Sequence, residues 1–195
     1  MRSYIWLSRN KLAQRQRSEE LGDEMSKGEC LTRVFIWGTL VGYFVGVVLL
    51  LVSRKRSKLT SIARWAWTIA CACLCLHVIC AYHFYHRWSQ DSAYRETARQ
   101  TANVVGIEWG GGLYFNYALI AGWLLDVVWW WRSLDLYRRR SAVLTAIWQG
   151  FVLFMIFNAT VVFKAGSLRI IGVIMTLVLC SLWLYTSTPA FESRL

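Results

Sequence analysis

Charged residues and proline are scarce in this chain. Asp, Glu, Lys and Arg make up only 17% of its 195 residues, and its one proline, Pro189, lies close to the carboxyl end. Apolar residues account for 56% and include 12 tryptophans, which is not the composition of an ordinary soluble domain. The composition therefore indicates a membrane protein, and the length is enough for one helical bundle.

The short motifs that identify common enzyme classes are absent too. The sequence contains no nucleotide-binding loop, nucleophile elbow, zinc-protease helix or kinase signature. Because membrane active sites are often assembled from scattered single residues, this absence does not exclude an enzyme, and it leaves the cofactor unknown. The net charge of +11 does not indicate nucleic-acid binding, since Lys and Arg gather at cytoplasmic loops and anionic headgroups in membrane proteins. We expect the lipid bilayer as partner, and no nucleic acid.

Cysteines able to form a disulfide framework are also missing. Five of the six cysteines lie inside apolar runs, at Cys71, Cys73, Cys75, Cys80 and Cys180. A single helix cannot pair its own neighbouring cysteines with acceptable geometry. We therefore predict reduced, buried thiols that behave as small apolar residues.

What the sequence does have is long apolar runs. A helix of ~20 residues crosses the ~30 Å hydrocarbon core of a bilayer. Five runs of about this length follow one another, at residues 34–52, 65–85, 113–131, 142–163 and 168–185. We predict an all-α fold, a polytopic helical membrane protein with five transmembrane helices in one domain of residues 34–185.

Polar segments flank this domain. Residues 1–33 are predicted to form an amino-terminal tail without the apolar core of a cleavable signal peptide, and residues 186–195 a short carboxyl-terminal tail. Met25 precedes the first apolar run by only nine residues. We hypothesise that residues 1–24 are an extension upstream of the true start.

A loop of 27 residues, 86–112, separates the second and third runs. Its middle, residues 91–105, lacks Gly and Pro, and Ser89 or Asp91 is a candidate N-cap. Acid–base pairs at helical spacing favour an exposed helix there: Asp91 with Arg95, and Glu96 with Arg99. A weak apolar stripe consists of Tyr94, Ala98, Thr101 and Val105. We predict a short helix on the membrane surface or over the mouth of the bundle.

The other loops are basic. The loop after the first run carries five basic residues and no acid: Arg54, Lys55, Arg56, Lys58 and Arg64. The loop after the third run carries Arg132, Arg138, Arg139 and Arg140 with Asp135. Basic loops face the cytoplasm by the positive-inside rule. With five spans in a cell membrane, the amino terminus is then outside and the carboxyl terminus cytoplasmic.

Glycine and tryptophan mark the expected packing and interfacial positions. Gly38, Gly42 and Gly46 recur at every fourth residue, so they form one strip on which another helix can approach closely. Trp67 and the three tryptophans at 129–131 lie at run ends, where aromatic rings usually form interfacial belts.

Two histidines provide a candidate metal site. His83 and His86 are three residues apart at the end of the second run, so they project from one helical face, and Glu108 in the following loop is a candidate third ligand. The alternative is that these histidines only form hydrogen bonds at the outer interface. No other predicted helix contains a histidine, so a haem held by two histidines within one chain is not expected.

Polar residues inside the runs are the remaining candidates. Asp126 is the one acid in a predicted span, where an ionised group costs at least ~2.5 kcal/mol, so it is expected to be paired or protonated. It either forms an ion pair with Arg132 or another loop cation, or acts as an ion- or proton-binding group. Asn116 and Asn158 either form an outward-facing polar pocket with Glu108 or join helices by hydrogen bonds.

Three functions are compatible with these features. The leading hypothesis is a non-enzymatic multi-pass membrane component, an accessory subunit or scaffold, that contacts a second copy or a membrane-complex partner. The first alternative is a membrane-embedded metal or redox enzyme with its site at the outer mouth. The second alternative is a small oligomeric channel or carrier that uses Asp126.

Overall fold

The computed structural model describes residues 2–52, 57–163 and 166–187, and these are almost entirely helical. In this part of the chain the helices are α1 (Arg2–Val52), α2 (Ser57–Phe84), α3 (Gln90–Val105), α4 (Gly112–Arg132), α5 (Leu134–Arg138), α6 (Ala142–Phe157), a π-helical turn (Asn158–Val162) and α7 (Ser167–Ser187). The all-α prediction is confirmed. Three groups of residues lie outside the described part of the chain: Arg54, Lys55 and Arg56 of the first basic loop, residues 164 and 165, and residues 188–195 of the predicted carboxyl-terminal tail.

The prediction of five membrane-spanning helices is wrong. Among the described residues four helices are long and apolar enough to cross a membrane: Met25–Leu51, Lys58–Phe84, Gly112–Arg132 and Ala142–Val162. A fifth apolar stretch, Arg169–Tyr185 within α7, is shorter than these four.

The amino-terminal polar sequence is helical and continuous with the first apolar run. α1 has no break at residue 33, where the apolar sequence begins. Ion pairs one helical turn apart support its polar part: Lys27 with Asp23 at 2.5 Å, and Arg33 with Glu29. The predicted tail is therefore an extension of the first long helix.

The glycine strip of α1 is a helix-packing face, as predicted, and the helix that packs on it is α2. A Cβ atom added to Gly42 would lie 2.9 Å from the Cβ of Ala70, and one added to Gly38 would lie 2.9 Å from the Sγ of Cys73. Gly46 lies farther along, beside Trp67. A side chain at Gly42 would force the two antiparallel helices apart, so this position sets their close approach.

The largest buried side chains lie towards one end of the bundle, where α1 and α4 end and α2 and α6 begin. We call this end the basic end, because the basic loops of the sequence connect the helices there. Tyr43, Trp67, Trp123 and Trp130 are almost fully buried in this core. The expectation that Trp67 and Trp130 belong to interfacial belts is therefore wrong: both rings face neighbouring helices instead of headgroups.

The predicted short helix between the second and third runs is confirmed as α3. The Oγ atom of Ser89 accepts a hydrogen bond from the backbone N–H of Ser92 at 3.2 Å, which caps the helix. Its buried residues are Ala93 and Ala98, whereas Tyr94 and Val105 of the predicted stripe are exposed. Small residues face inward because α3 packs closely on the start of α4.

Glycines at the start of α4 make this close approach possible. A Cβ atom on Gly110 would lie 2.6 Å from the carbonyl oxygen of Tyr94, and one on Gly112 would lie 3.3 Å from the Cγ2 atom of Thr97. Gly110 and Gly111 are buried. Gly110 and Gly112 therefore serve the packing of α3 on α4. This packing lies at the end of the bundle opposite the basic end, which we call the α3 end.

Candidate functional site

A buried polar cluster at the basic end centres on Asp126, whose side chain is 8% exposed. One carboxylate oxygen, Oδ1, accepts a hydrogen bond from Nη1 of Arg140 at 2.7 Å. The other, Oδ2, accepts one from Nε1 of Trp67 at 2.9 Å and one from the hydroxyl of Tyr137 at 3.0 Å. We call these four residues the Asp126 cluster.

The chain between α4 and α6 brings Tyr137 and Arg140 to the carboxylate. The five-residue helix α5 folds back so that the Tyr137 ring stacks on Trp130, with centroids 4.7 Å apart and planes at 6°. The Arg140 guanidinium lies 4.0 Å over the same Tyr137 ring. Ser141 then caps α6 by accepting a hydrogen bond from the backbone N–H of Leu144 at 3.1 Å.

Trp67 reaches Asp126 from α2 and is held by aromatic packing. Its ring centroid lies 4.8 Å from that of Trp123 and 5.6 Å from that of Tyr43. The indole N–H groups of Trp123 and Trp130 are buried without a hydrogen-bond partner among the described residues. Trp67 differs from them because its N–H donates to the carboxylate, which links α2 to α4.

The buried carboxylate of Asp126 has partners that replace the water it loses on burial. A buried carboxylate is tolerated when a cation and further hydrogen bonds compensate for the lost water, and here one cation and two neutral donors do so. Burial raises the pKa of Tyr137, and the adjacent Asp126 carboxylate raises it further. The Tyr137 hydroxyl therefore keeps its proton at neutral pH and remains a donor.

The loop cation paired with Asp126 is Arg140, whereas Arg132 is exposed. Arg132 lies closer in sequence, but α5 reverses the chain and brings Arg140 back over the end of α4. Sequence reasoning did not single out Trp67 or Tyr137 as partners of the acid. The only signal in the sequence was that an acid inside an apolar run needs donors from somewhere in the chain.

The structure does not assemble the residues predicted to bind a metal. His83 is exposed with its ring 6.3 Å from that of Trp88, and Glu108 is exposed. The Nδ1 atom of His86 lies 3.5 Å from the hydroxyl oxygen of Ser92. In the described ranges no group of three or more His, Cys, Asp or Glu side chains is placed to hold a metal ion.

The two asparagines of the predicted polar pocket lie in different surroundings. Asn116 is exposed on α4, and the Nδ2 atom of Asn158 donates to the carbonyl oxygen of Phe154 at 2.8 Å within its own helix. Polar contacts between helices at the α3 end come from other residues. The hydroxyl of Tyr117 in α4 donates to Oε1 of Gln90 in α3 at 2.7 Å.

The exposed face of α3 carries a shallow open groove of about 420 Å³. Its lining residues are Ser89, Ser92, Arg95, Glu96 and Arg99. Arg95 forms an ion pair with Asp91, and Arg99 forms one with Glu96 at 2.6 Å. Hydrogen bonds from Gln100 and Arg99 lower the pKa of Glu96, so it stays charged and paired at neutral pH. The charges of this surface are therefore largely balanced.

Of these groups, the Asp126 cluster is the one in which side chains distant in sequence converge on a buried charge. Both carboxylate oxygens already have donors from this chain, so the arrangement ties together α2, α4 and the α5 segment. No family model, no curated protein and no solved structure matches this chain.

Proposed function

We propose that the chain is a multi-pass integral membrane protein that acts as a non-enzymatic accessory or scaffold component. The observation that supports this role best is the closed state of the Asp126 cluster. Asp126 is the one acid in the apolar runs, and its carboxylate is bound by Arg140, Trp67 and Tyr137 of the same chain. A group engaged in this way holds helices together instead of presenting an open site to a substrate.

The exposed surface of the long helices supports insertion in a bilayer. Large apolar side chains on four helices point away from the protein, among them Val41, Ile69, Leu125 and Ile147, of which Leu125 is 71% exposed. Exposed apolar area of this extent is not stable in water and fits contact with lipid or with a membrane partner. We expect the protein to stay with membranes during alkaline carbonate extraction; release into the supernatant would contradict the proposal.

The basic loops support a cytoplasmic location for the basic end. The test uses a cysteine-free background with a single new cysteine, either Asn103→Cys in α3 or Arg139→Cys beside α5, both at exposed positions. We expect a membrane-impermeant maleimide to label intact cells carrying Asn103→Cys, and to label Arg139→Cys only after the membrane is opened. The reverse pattern would contradict this orientation.

A scaffold role requires a partner and no intrinsic transport. We expect chemical crosslinking in native membranes to trap the chain with a second copy or with another membrane protein, and we expect purified protein in liposomes to leave a proton gradient intact. A chain that is always monomeric in membranes would contradict the scaffold role.

A channel or carrier is the second candidate, because an ionisable group at apolar depth is a common feature of ion pathways. Proton or cation flux that is present in the wild type and abolished by Asp126→Asn would favour this candidate. The matched control is Asp135→Asn, which removes an exposed acid in α5 and leaves the Asp126 cluster untouched.

A further inference from the structure

A second aromatic and cationic group lies at the basic end, outside the Asp126 cluster. The guanidinium carbon of Arg64 in α2 lies 4.1 Å over the ring of Trp131 in α4. That ring is held by two contacts, since its Nε1 atom donates to the hydroxyl of Thr68 at 2.9 Å and it makes a T-shaped contact with Trp65 at 4.8 Å between centroids. The position of Arg64 is therefore set by packing, unlike that of an ordinary surface arginine.

The charge around this group is uncompensated. The basic residues at this end that form no ion pair with a described carboxylate are Lys58, Arg64, Arg132, Arg138 and Arg139. In residues 57–64 and 132–140 the one acid is Asp135, and Asp126 is already engaged with Arg140. The arginines of α3 differ, because Arg95 and Arg99 are each paired with an acid of the same helix. The two ends of the bundle are therefore electrostatically unequal.

Exposed apolar side chains surround these cations. Trp65, Trp131 and Leu136 are exposed at the level where the apolar parts of α2 and α4 give way to the basic residues. Tryptophans beside arginines are typical of headgroup depth, where the ring lies against acyl chains and the cation reaches phosphate. The surroundings of Arg64 are therefore of the kind found at headgroup depth.

We propose that the basic end binds the phosphate groups of anionic phospholipids, with Arg64 and Arg132 as the main contacts. A guanidinium can donate two hydrogen bonds to one phosphate, and its stacking on Trp131 holds Arg64 ready to do so. The Nε atom of Arg64 is buried without a hydrogen-bond partner among the described residues, and the residue as a whole is half-buried. This inference rests on the proposed membrane location and adds a lipid class to it.

The test measures thermal unfolding of the detergent-purified full chain with added phosphatidylglycerol, phosphatidylcholine or inorganic phosphate. We expect phosphatidylglycerol at saturating concentration to raise the Tm by about 5 °C more than phosphatidylcholine does. The double variant Arg64→Ala, Arg132→Ala should lose most of this difference. Arg64→Lys should lose about half, because it keeps the charge but not the paired donors.

The matched control is Arg95→Ala, Arg99→Ala, which removes two arginines from the α3 end and should keep the full preference for phosphatidylglycerol.

If the Arg64 and Arg132 double variant does not fold, native mass spectrometry of Arg64→Lys replaces it. We then expect this variant to retain fewer phosphatidylglycerol molecules than the wild type. Equal shifts with both lipids, an equal shift with inorganic phosphate, or an unchanged preference in the variants would overturn the inference. Carbonate extraction tests membrane insertion independently. A protein that resists this extraction but shows no preference for phosphatidylglycerol would disprove the lipid-binding inference and leave the proposed membrane location standing.

Discussion

At the residue scale, Asp126 connects three segments of the chain. It lies near the end of α4, Trp67 reaches it from α2, and Tyr137 and Arg140 reach it from the segment that follows. A carboxylate in this position is costly unless it is paired, and once paired its removal leaves a buried cation without compensation. An unpaired Asp126 charge is costly in lipid. Because Arg140, Trp67 and Tyr137 together offset that cost, the charge favours the one fold in which all three reach it.

We expect Asp126→Asn to destabilise the protein by about 3 kcal/mol, because the Arg140 guanidinium then remains buried without its anion. Asp135→Asn should change the stability by less than about 0.5 kcal/mol, since Asp135 is exposed. Unfolding in mixed micelles of a mild detergent and SDS measures both variants. Equal losses in the two variants would show that the Asp126 ion pair contributes no more than a surface charge.

Tyr137→Phe removes one donor to Asp126 and keeps the stacking on Trp130. We expect a loss of about 1 kcal/mol near pH 7, the usual net value of a hydrogen bond. The pKa of Tyr137 is raised in the folded protein, so its contribution is complete below the unfolded pKa of about 10 and is lost as the pH rises above it. The stability of the wild type should therefore fall more steeply than that of Tyr137→Phe between about pH 9 and pH 11. Parallel pH profiles would exclude this linkage.

At the element scale, the pairing of α1 with α2 depends on the absence of side chains. Gly38 and Gly42 approach Cys73 and Ala70 so closely that an added methyl group has no room without movement of a helix. The spacing of these glycines allowed their shared face to be predicted, because a period of four residues maps directly onto one side of a helix. Which helix would occupy that face did not follow from the spacing.

We expect Gly42→Ala to destabilise the protein by about 1–3 kcal/mol through overpacking against Ala70. Gly150→Ala in α6 is the matched control, since an added Cβ there meets no atom within 4 Å. This control should be neutral or slightly stabilising, as alanine favours a helix more than glycine does. The comparison is made by unfolding in mixed micelles. A neutral Gly42→Ala variant would mean that α1 can shift along α2 without loss.

The elements also show what sequence patterns can and cannot specify. Apolar runs bounded by polar residues predicted the positions of α2, α4 and α6 to within a few residues at most ends. Of the two candidate caps of α3, Ser89 and Asp91, Ser89 is the one observed. The burial of Trp67 could not be predicted, because an end-of-run tryptophan looks the same whether it faces headgroups or a buried acid. The pairing of Asp126 with Arg140 depends on the fold of α5, a helix too short to have an apolar period.

At the scale of the whole molecule, charge separates the two ends. Most of the described basic residues at the basic end have no acid partner, whereas the arginines of α3 are paired within the helix. Only the sum of such charges near the spans sets the orientation of a membrane protein, so no single residue at the basic end is essential for it. The contacts within the Asp126 cluster are, in contrast, local and individual.

The effect of this charge separation on orientation can be tested with a variant that leaves the folded core intact. Changing Arg54, Lys55, Arg56 and Lys58 together to Gln removes four positive charges beside the first span without altering the Asp126 cluster. We expect a mixed population, in which maleimide labelling of intact cells at Asn103→Cys falls well below that of the parent, because the first helices usually dominate the choice of orientation. Changing Arg95 and Arg99 to Gln is the control and should leave the labelling high. If the fourfold variant keeps full labelling, the later arginines alone determine which way the bundle faces.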